Sequence, residues 1–378
     1  MSGADQRYMR LALALGRRGL GQVAPNPAVG CVIVAENRIV GRGVTRPGGR
    51  PHAEVVALAQ AGEKARGATA YVTLEPCAHT GKTPPCADAL IAAGVARVVV
   101  ALRDPDPRVN GAGVARLRAA GIEVCEGVGA AEARRDQRGF LSRVRRGRPM
   151  LTLKLASSLD GRIATASGES RWITGPEARR VVHAERARHD AVMIGAGTAR
   201  ADDPMLDVRG LGMRHQPVRI VLARGLDLPL DGRLARTAGE VPLWLIHSGA
   251  AEPGRIAAWE RLGARLFAVE AQAGRLDLGQ AMAALAAAGL TRVFCEGGGI
   301  LAAGLLTAGL VDRLVVFGAG LALGADGRPA LGPLGLEHLA EAPRFELAGL
   351  RTVGGDVMQE WEMAHGLDDL DALGRGRG

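Results

Sequence analysis

Three side chains able to bind a metal stand in the first quarter of this 378-residue sequence: His52, Cys77 and Cys86. One imidazole and two thiolates suit a borderline-soft ion such as Zn²⁺, and three protein ligands leave the fourth tetrahedral position open for water. That is the composition of a catalytic zinc site. A structural site would close its shell with a fourth residue, which Cys31 or His79 could supply. Structural sites, however, usually pair their cysteines at short Cys-x₂₋₄-Cys spacing. Here eight residues separate Cys77 from Cys86, and Glu54, two residues after His52, would have no task.

The grouping His52-Ala53-Glu54, Pro76-Cys77 and Cys86 is the pattern of zinc deaminases, in which activated water attacks a ring carbon and the glutamate moves the proton. Its departure from Cys-x-x-Cys argues against a close relative of the tRNA or cytidine deaminases. The elements that must position these residues read as alternating strands and helices. A helix capped by Asp5 runs to about Arg18, with Tyr8, Leu11 and Leu15 on one stripe. Strands are expected at 29–34, 39–44, 71–74, 95–101 and 122–125, and helices at 52–61, 86–93 and 114–120. Alternation of this kind implies an α/β layered sheet. His52 and Cys86 then open helices, whose N-termini favour thiolate and other negative charge.

Composition narrows the setting. The chain is long enough for two or three domains, with 47% hydrophobic, 23% charged and 3% aromatic residues. Five Cys do not make a disulfide framework, and Cys31, Cys125 and Cys295 fall outside the zinc pattern, so a reducing cytoplasm is the natural reading. The first residues carry Asp5, Arg7 and Arg10 and lack a secretory cleavage site. The longest uncharged apolar stretch, Gly297 to Val311, is 15 residues and too short to span a bilayer. No membrane partner is expected. The net charge of +9 comes from 45 Arg and 3 Lys scattered along the chain. With so few aromatics to stack bases, it reads as compositional bias rather than a nucleic-acid footprint. The dense basic run Arg134 to Arg148 reads as a solvated helix and linker, with an anionic-ligand contact as the alternative.

Longer motifs carry a resemblance. Pro25-Asn26-Pro27-Ala28-Val29-Gly30, His52-Ala53-Glu54 and Thr73 through Cys86 resemble the bifunctional deaminase/reductase family of bacterial riboflavin biosynthesis. So do Lys154-Leu155-Ala156-Ser157-Ser158-Leu159-Asp160-Gly161-Arg162, Ser167 through Gly175, Gly197-Thr198 and Asp202-Asp203-Pro204. The resemblance spans nearly the whole chain in one order. It implies a cytidine-deaminase-like three-layer α/β/α domain over 1–146 and a dihydrofolate-reductase-like α/β domain over 147–364; the tail at 365–378 mixes Gly and charge and is expected to be poorly ordered. The resemblance implies one Zn²⁺ per chain on His52, Cys77 and Cys86, with Glu54 as proton shuttle, and NADPH as the second cofactor. The substrate would be a phosphorylated pyrimidine, and the assembly a homo-oligomer, dimer or tetramer.

Residue by residue, the resemblance places Asn26, His79 and Lys82 at substrate in the first domain. It places Ser170, Arg186, Leu206, Arg209 and Glu296 at substrate in the second. Ala156, Trp172, Thr198, Asp202, Gly298 and Gly299 match cofactor positions, and Lys154 or Asp202 would handle the proton of the reduction. Asn26 also reads as a turn cap between prolines, Trp172 as a core aromatic and Arg186 as a solvated helix face. Asp106 stands where the family pattern has Asn, and a carboxylate cannot donate like an amide. In the second half, strands are expected at 150–155, 191–194, 218–222, 241–247, 292–295 and 314–317, and helices at 177–188 and 278–288. No Gly-x-Gly-x-x-Gly fingerprint appears. Instead Glu296-Gly297-Gly298-Gly299 opens an apolar helix, where backbone N–H groups could meet a pyrophosphate. Two other readings remain: a deaminase of nucleic-acid bases, and a zinc-stabilised binding protein without activity.

Overall fold

Ser2, not Asp5, caps the first helix. In the computed structural model, which describes residues 2–81 and 84–364, Asp5 is the third helical residue and its carboxylate returns to the Ser2 N–H in a capping box. Lys82 and the 365–378 tail therefore lie outside the described residues. The chain divides into two units between Arg146 and Gly147.

The first unit runs α1 (Gly3–Arg17), β1 (Gly30–Ala35), β2 (Arg38–Val44), α2 (Ala53–Ala61), β3 (Thr69–Val72), α3 (Cys86–Ala92), β4 (Arg97–Val100), α4 (Ala112–Ala119), β5 (Glu123–Glu126) and α5 (Ala130–Arg146). Its sheet has the order β2-β1-β3-β4-β5, with β1 antiparallel to both neighbours and the remaining pairs parallel. Two glycines let helices close on both faces. A Cβ on Gly30 would lie 1.9 Å from Ala12 O in α1, and one on Gly43 1.9 Å from Ala53 O in α2. Cys31 pairs with Gly43, so these contacts fall on opposite sides of the sheet. The three-layer expectation holds. Tyr8, Met9, Ala12 and Leu13 of α1 pack on Val32, Val34, Tyr71 and Val99 to make the core on one side.

Strand β3 ends at Val72, two residues earlier than expected, because the Thr73 hydroxyl takes over the ladder by accepting from Gly30 N at 3.0 Å. The chain is thereby released toward Glu75, Pro76 and Cys77. The basic helix α5 is also not simply solvated: Gln137, Arg138, Phe140, Leu141 and Ser142 are buried. Its Gln137 amide donates to Ala28 O at 2.6 Å and ties the helix to the Pro25–Gly30 segment.

The second unit contains β6 (Met150–Ser157), β7 (Arg162–Ala164), α6 (Pro176–Ala187), β8 (Ala191–Gly195), α7 (Ala196–Asp202), β9 (Val218–Leu222), α8 (Arg233–Arg236), β10 (Leu243–Ser248), α9 (Pro253–Arg261) and β11 (Arg265–Val269). A small hairpin of β12 (Ala271–Gln272) and β13 (Arg275–Leu276) follows, then α10 (Leu278–Ala287), β14 (Arg292–Cys295), α11 (Gly299–Thr307), β15 (Arg313–Gly318), β16 (Arg328–Pro329), β17 (Phe345–Val353) and β18 (Asp356–Met363). The main sheet has the order β11-β10-β9-β8-β14-β6-β15-β18-β17, parallel up to β15 and antiparallel at its last two strands. The chain starts in the middle, winds outward from β8 to β11, then returns to insert β14 between β8 and β6. Such a reversal opens a crevice at the carboxyl ends of the strands. Along β6, Leu151, Leu153 and Leu155 enter the core cluster, so the alternation of the strand turns Thr152, Lys154 and Ala156 to the other face.

Candidate active sites

In the first unit the three expected metal ligands converge. His52 Nδ1, Cys77 Sγ and Cys86 Sγ all lie within 4.8 Å of one another. The His52 nitrogen is 3.3 Å from the Cys86 sulfur and 3.7 Å from the Cys77 sulfur. A tetrahedral Zn²⁺ bound to nitrogen and sulfur holds such ligand pairs roughly 3.6 Å apart. The donor set and spacing therefore fit the ion. His52 is the N-cap of α2, and Cys86 is the first residue of α3. The Cys86 N–H donates to the Cys77 sulfur at 3.3 Å. With the Cys86 thiol also donating, the Cys77 thiol is held down to about 4, while Cys86 is pushed up by that same bond and by burial.

Glu54 sits in the first turn of α2, 3% exposed. Burial pushes its carboxyl up to about 7, opposed by its own backbone hydrogen bond. It lines a cavity of about 340 Å³ together with His52, Cys77, Asn26 and His79. Asn26 does more than cap a turn, since its side-chain amide donates to Gly49 O at 2.8 Å and joins two loops of the cavity wall. His79 presents a buried Nδ1 with no hydrogen-bond partner among the described residues. Asp106 lines the same cavity and is paired with Arg108 at 2.5 Å, which holds its carboxyl below the usual range. Arg50, Phe140 and Arg143 also line it, so one arginine of the basic run faces this site.

In the second unit a cavity of about 590 Å³ opens at the carboxyl ends of β6, β8 and β14. Lys154, Ala156, Ser170, Trp172, Arg186, Thr198, Asp202, Leu206, Arg209 and Glu296 all line it, but Gly298 and Gly299 do not. Two alternatives are settled here. Trp172 is 68% exposed, with Arg179 stacked 4.4 Å from its ring, so it is no core aromatic. Arg186 is no solvated face either: it pairs with Glu296 at 2.5 and 3.1 Å and donates to Asp207 O at 2.8 Å. Burial raises the Glu296 carboxyl, but Arg186 and Lys154 outweigh it and hold the group below the usual range. Burial lowers the Lys154 ammonium, with Glu296 and Asp202 opposing and Arg186 assisting. Leu206 is held at φ +54° and buried.

A second cavity of about 1050 Å³ flanks the other side of α7. Thr198 and Asp202 face the first cavity while Ala196 and Arg200 face the second, and each pair is spaced by four residues. Arg200, Arg224, Arg255 and Arg275 line it, as do Ile300 and Leu301 of α11, whose N-cap is Gly298. A Cβ on Gly298 would lie 3.5 Å from the Thr198 hydroxyl, so this glycine stands beside α7. Basic side chains near a helix N-terminus suit the phosphates of a dinucleotide.

Comparison with known proteins decides the family. Residues 2–102 match the cytidine and deoxycytidylate deaminase zinc-binding region, and residues 149–359 match the RibD C-terminal domain. The riboflavin biosynthesis protein RibD of Escherichia coli is 46% identical over 93% of this chain and 98% of its own length. The chain belongs to the RibD family. The RibD of Aquifex aeolicus is 42% identical over 94% of this chain and 97% of its own. A solved structure of Acinetobacter baumannii RibD superposes with a TM-score of 0.85, at 40% identity, over 95% of this chain and 98% of that one. A Thermotoga maritima structure described as a diaminohydroxyphosphoribosylaminopyrimidine deaminase/5-amino-6-(5-phosphoribosylamino)uracil reductase gives 0.84 at 33% identity, over 96% and 99%. The nucleic-acid-base alternative is not favoured by any of these matches. Among the described residues no helix is long and apolar enough to cross a membrane.

RibD-family motifs did not point to Arg200, Arg224, Arg255 or Arg275. In an Arg-rich sequence no local signal marks them, because they come together only through α7, the loop after β9, α9 and β13.

Proposed function

We propose that this chain performs two successive steps of riboflavin biosynthesis. The first removes the 2-amino group of 2,5-diamino-6-ribosylamino-4(3H)-pyrimidinone 5′-phosphate as ammonia; the second reduces the ribosyl group to ribityl with NADPH. One observation carries the reading: a three-ligand His/Cys/Cys cluster shares a cavity with buried Glu54.

His52, Cys77 and Cys86 would hold one zinc ion, which when bound lowers the pKa of a water from about 15.7 to about 7. Glu54 accepts one proton of the attacking water and passes it to the ring nitrogen, then carries the second proton, from the new hydroxyl, to the departing amine. Asn26 reads the base edge with the hydrogen-bonding capacity not used on Gly49, and His79 and Lys82 hold the substrate. In the second unit, reduction of a ring-opened C=N bond takes one hydride at carbon and one proton at nitrogen. NADPH supplies the hydride. Lys154 is the better proton donor of the two candidates, because burial has already lowered its affinity for the proton and Asp202 is exposed. Ala156, Trp172, Thr198 and Asp202 would face the nicotinamide end, and Gly298, Gly299 and Arg224 the phosphate end on the far side of α7. Arg209, 64% exposed at the cavity, would meet the substrate phosphate alongside Ser170, while Arg186 sets Glu296 in place.

The test is a coupled assay on wild type and Glu54→Ala, with ammonia release and NADPH oxidation followed separately. Glu54→Ala should retain zinc and lose ammonia release by ~10²–10⁴-fold. It should still oxidise NADPH when given the deaminated intermediate. Wild-type protein with stoichiometric zinc and no ammonia release would overturn the deaminase assignment. A homo-oligomer also remains our expectation, to be read by light scattering.

A further inference from the structure

We propose that Glu75 is a positioning residue for the deamination, fixing the stretch of cavity wall that contains Asp104, Asp106 and Val109; this rests on the deaminase reading above. Glu75 is 3% exposed and stands two residues before the ligand Cys77. Its two oxygens accept three main-chain N–H groups from the far side of the site. Oε2 accepts from Asp104 N at 3.2 Å and Gly111 N at 3.0 Å, and Oε1 from Val114 N at 3.0 Å. The Glu75 N–H in turn donates to Leu102 O at 2.9 Å. Glu75, through side chain and backbone together, thus gathers the chain just after β4, the loop that follows and the first turn of α4 around the segment that carries a metal ligand.

The packing leaves no slack in this junction. A Cβ on Gly113 would lie 1.9 Å from Pro76 O and 3.2 Å from Glu75 Oε1, so α4 sits directly on the Glu75–Pro76 backbone. Within the loop, Asp104 accepts from Asp106 N at 2.9 Å, and Asp106 accepts from Arg108. The geometry that Glu75 imposes on Asp104 is therefore passed to Asp106, which lines the cavity. A carboxylate meets three donors without conflict. A glutamine would turn an NH₂ toward at least one of them, and a buried donor facing a donor is costly.

The experiment compares wild type, Glu75→Gln and Glu75→Ala as full-length zinc-loaded protein. Hydrogen exchange of peptides covering 102–115 is measured alongside zinc content, and KM and kcat for ammonia release. NADPH oxidation with the deaminated intermediate reports the other unit. Glu75→Gln should keep one zinc and normal NADPH oxidation, and exchange at 104–114 at least about tenfold faster, as loss of a buried bond to a charged group implies. Its KM should rise by a similar factor, with kcat changing less. Glu75→Ala should show the same pattern more strongly. Exchange and KM both at wild-type values in Glu75→Gln would overturn the proposal. So would loss of zinc and kcat with KM unmoved, which would make Glu75 a support of the metal loop alone. Absence of ammonia release in wild type would refute the deaminase reading separately, since the exchange measurement needs no substrate.

Discussion

Arg186 gives the sharpest test of how the second cavity is built. The resemblance places it at substrate, where a guanidinium suits phosphate; in the structure that guanidinium bonds Glu296 at 2.5 and 3.1 Å and Asp207 O at 2.8 Å. The side chains of the pair are only 13% and 11% exposed. Removing one partner of such a buried pair leaves an uncompensated charge and costs about 3–5 kcal/mol. Lys154 can offset part of that for Glu296, which favours the lower end. For a unit of this size each kcal/mol moves the midpoint by about 2–4 °C, so Arg186→Met should lower it by roughly 6–12 °C. The assay is calorimetry on the whole chain, where the transition indifferent to a zinc chelator belongs to the second unit. Arg209→Gln, which breaks only an exposed 3.4 Å pair with Asp207, should leave that midpoint within about 1 °C and raise KM for the phosphorylated intermediate. The double change Arg186→Leu with Glu296→Leu should recover part of the lost stability, because the pair leaves together and only Lys154 loses a counter-charge. If Arg186→Met keeps its midpoint and behaves kinetically like Arg209→Gln, the clamp reading is wrong and Arg186 is a phosphate ligand after all.

Other outcomes follow from single groups. Cys86→Ser should lower bound zinc below one per chain and abolish ammonia release while reduction of the deaminated intermediate persists, measured by metal analysis and the split assay. His189 is buried, its Nδ1–H donates to Glu185 O at 2.6 Å and its Nε2 lies 2.9 Å from the Thr152 hydroxyl, and burial drives its pKa from 6.5 to about 4. A group depressed on folding binds its proton more readily when unfolded, so stability is present above 6.5 and lost as pH falls toward 4, by roughly 3 kcal/mol in all. His189→Gln should flatten that acid limb in denaturant titrations of the second-unit transition, and an unchanged limb would refute it. Trp172→Phe should remove most of the tryptophan quenching caused by NADPH; equal quenching in variant and wild type would take Trp172 out of the cofactor wall.

Much of the deaminase site could be read from the chain because its residues are local to short motifs. His52 and Glu54 share the opening of one helix, Cys86 opens another, and the strand before Cys77 ends in a predictable place to within two residues. Errors there were of boundary. Ser2 displaced Asp5 as cap because a hydroxyl and an acid three residues apart can satisfy each other, a pairing invisible when the cap is sought only before the first apolar residue. In the second unit the expected residues do converge, but their roles came from the resemblance and from residue type rather than from the partners each side chain holds. Type suggested that arginines bind phosphate; partners showed that Arg186 is held by Glu296, a residue 110 positions away. The four arginines of the second cavity were missed for the same reason, since nothing within a few residues of each distinguishes it from the other arginines of the chain.

That difference has a physical origin. A metal site demands particular donor atoms at short separations, so it leaves a mark in residue type and spacing. A dinucleotide site built without the Gly-x-Gly-x-x-Gly turn demands only charge and room, both of which the fold supplies from distant segments. The four-residue spacing of α7 sends Thr198 and Asp202 into one cavity and Ala196 and Arg200 into the other, so under the function proposed above this single short helix would separate the reacting end from the phosphate end. Specificity for NADPH over NADH would then rest on the arginines that reach the second cavity alone. Arg224→Ala and Arg275→Ala should raise KM for NADPH far more than for NADH, with kcat and the Trp172 quenching at saturation unchanged. If both nucleotides weaken equally, those arginines hold the shared pyrophosphate, and the discriminating contact lies elsewhere along the cavity.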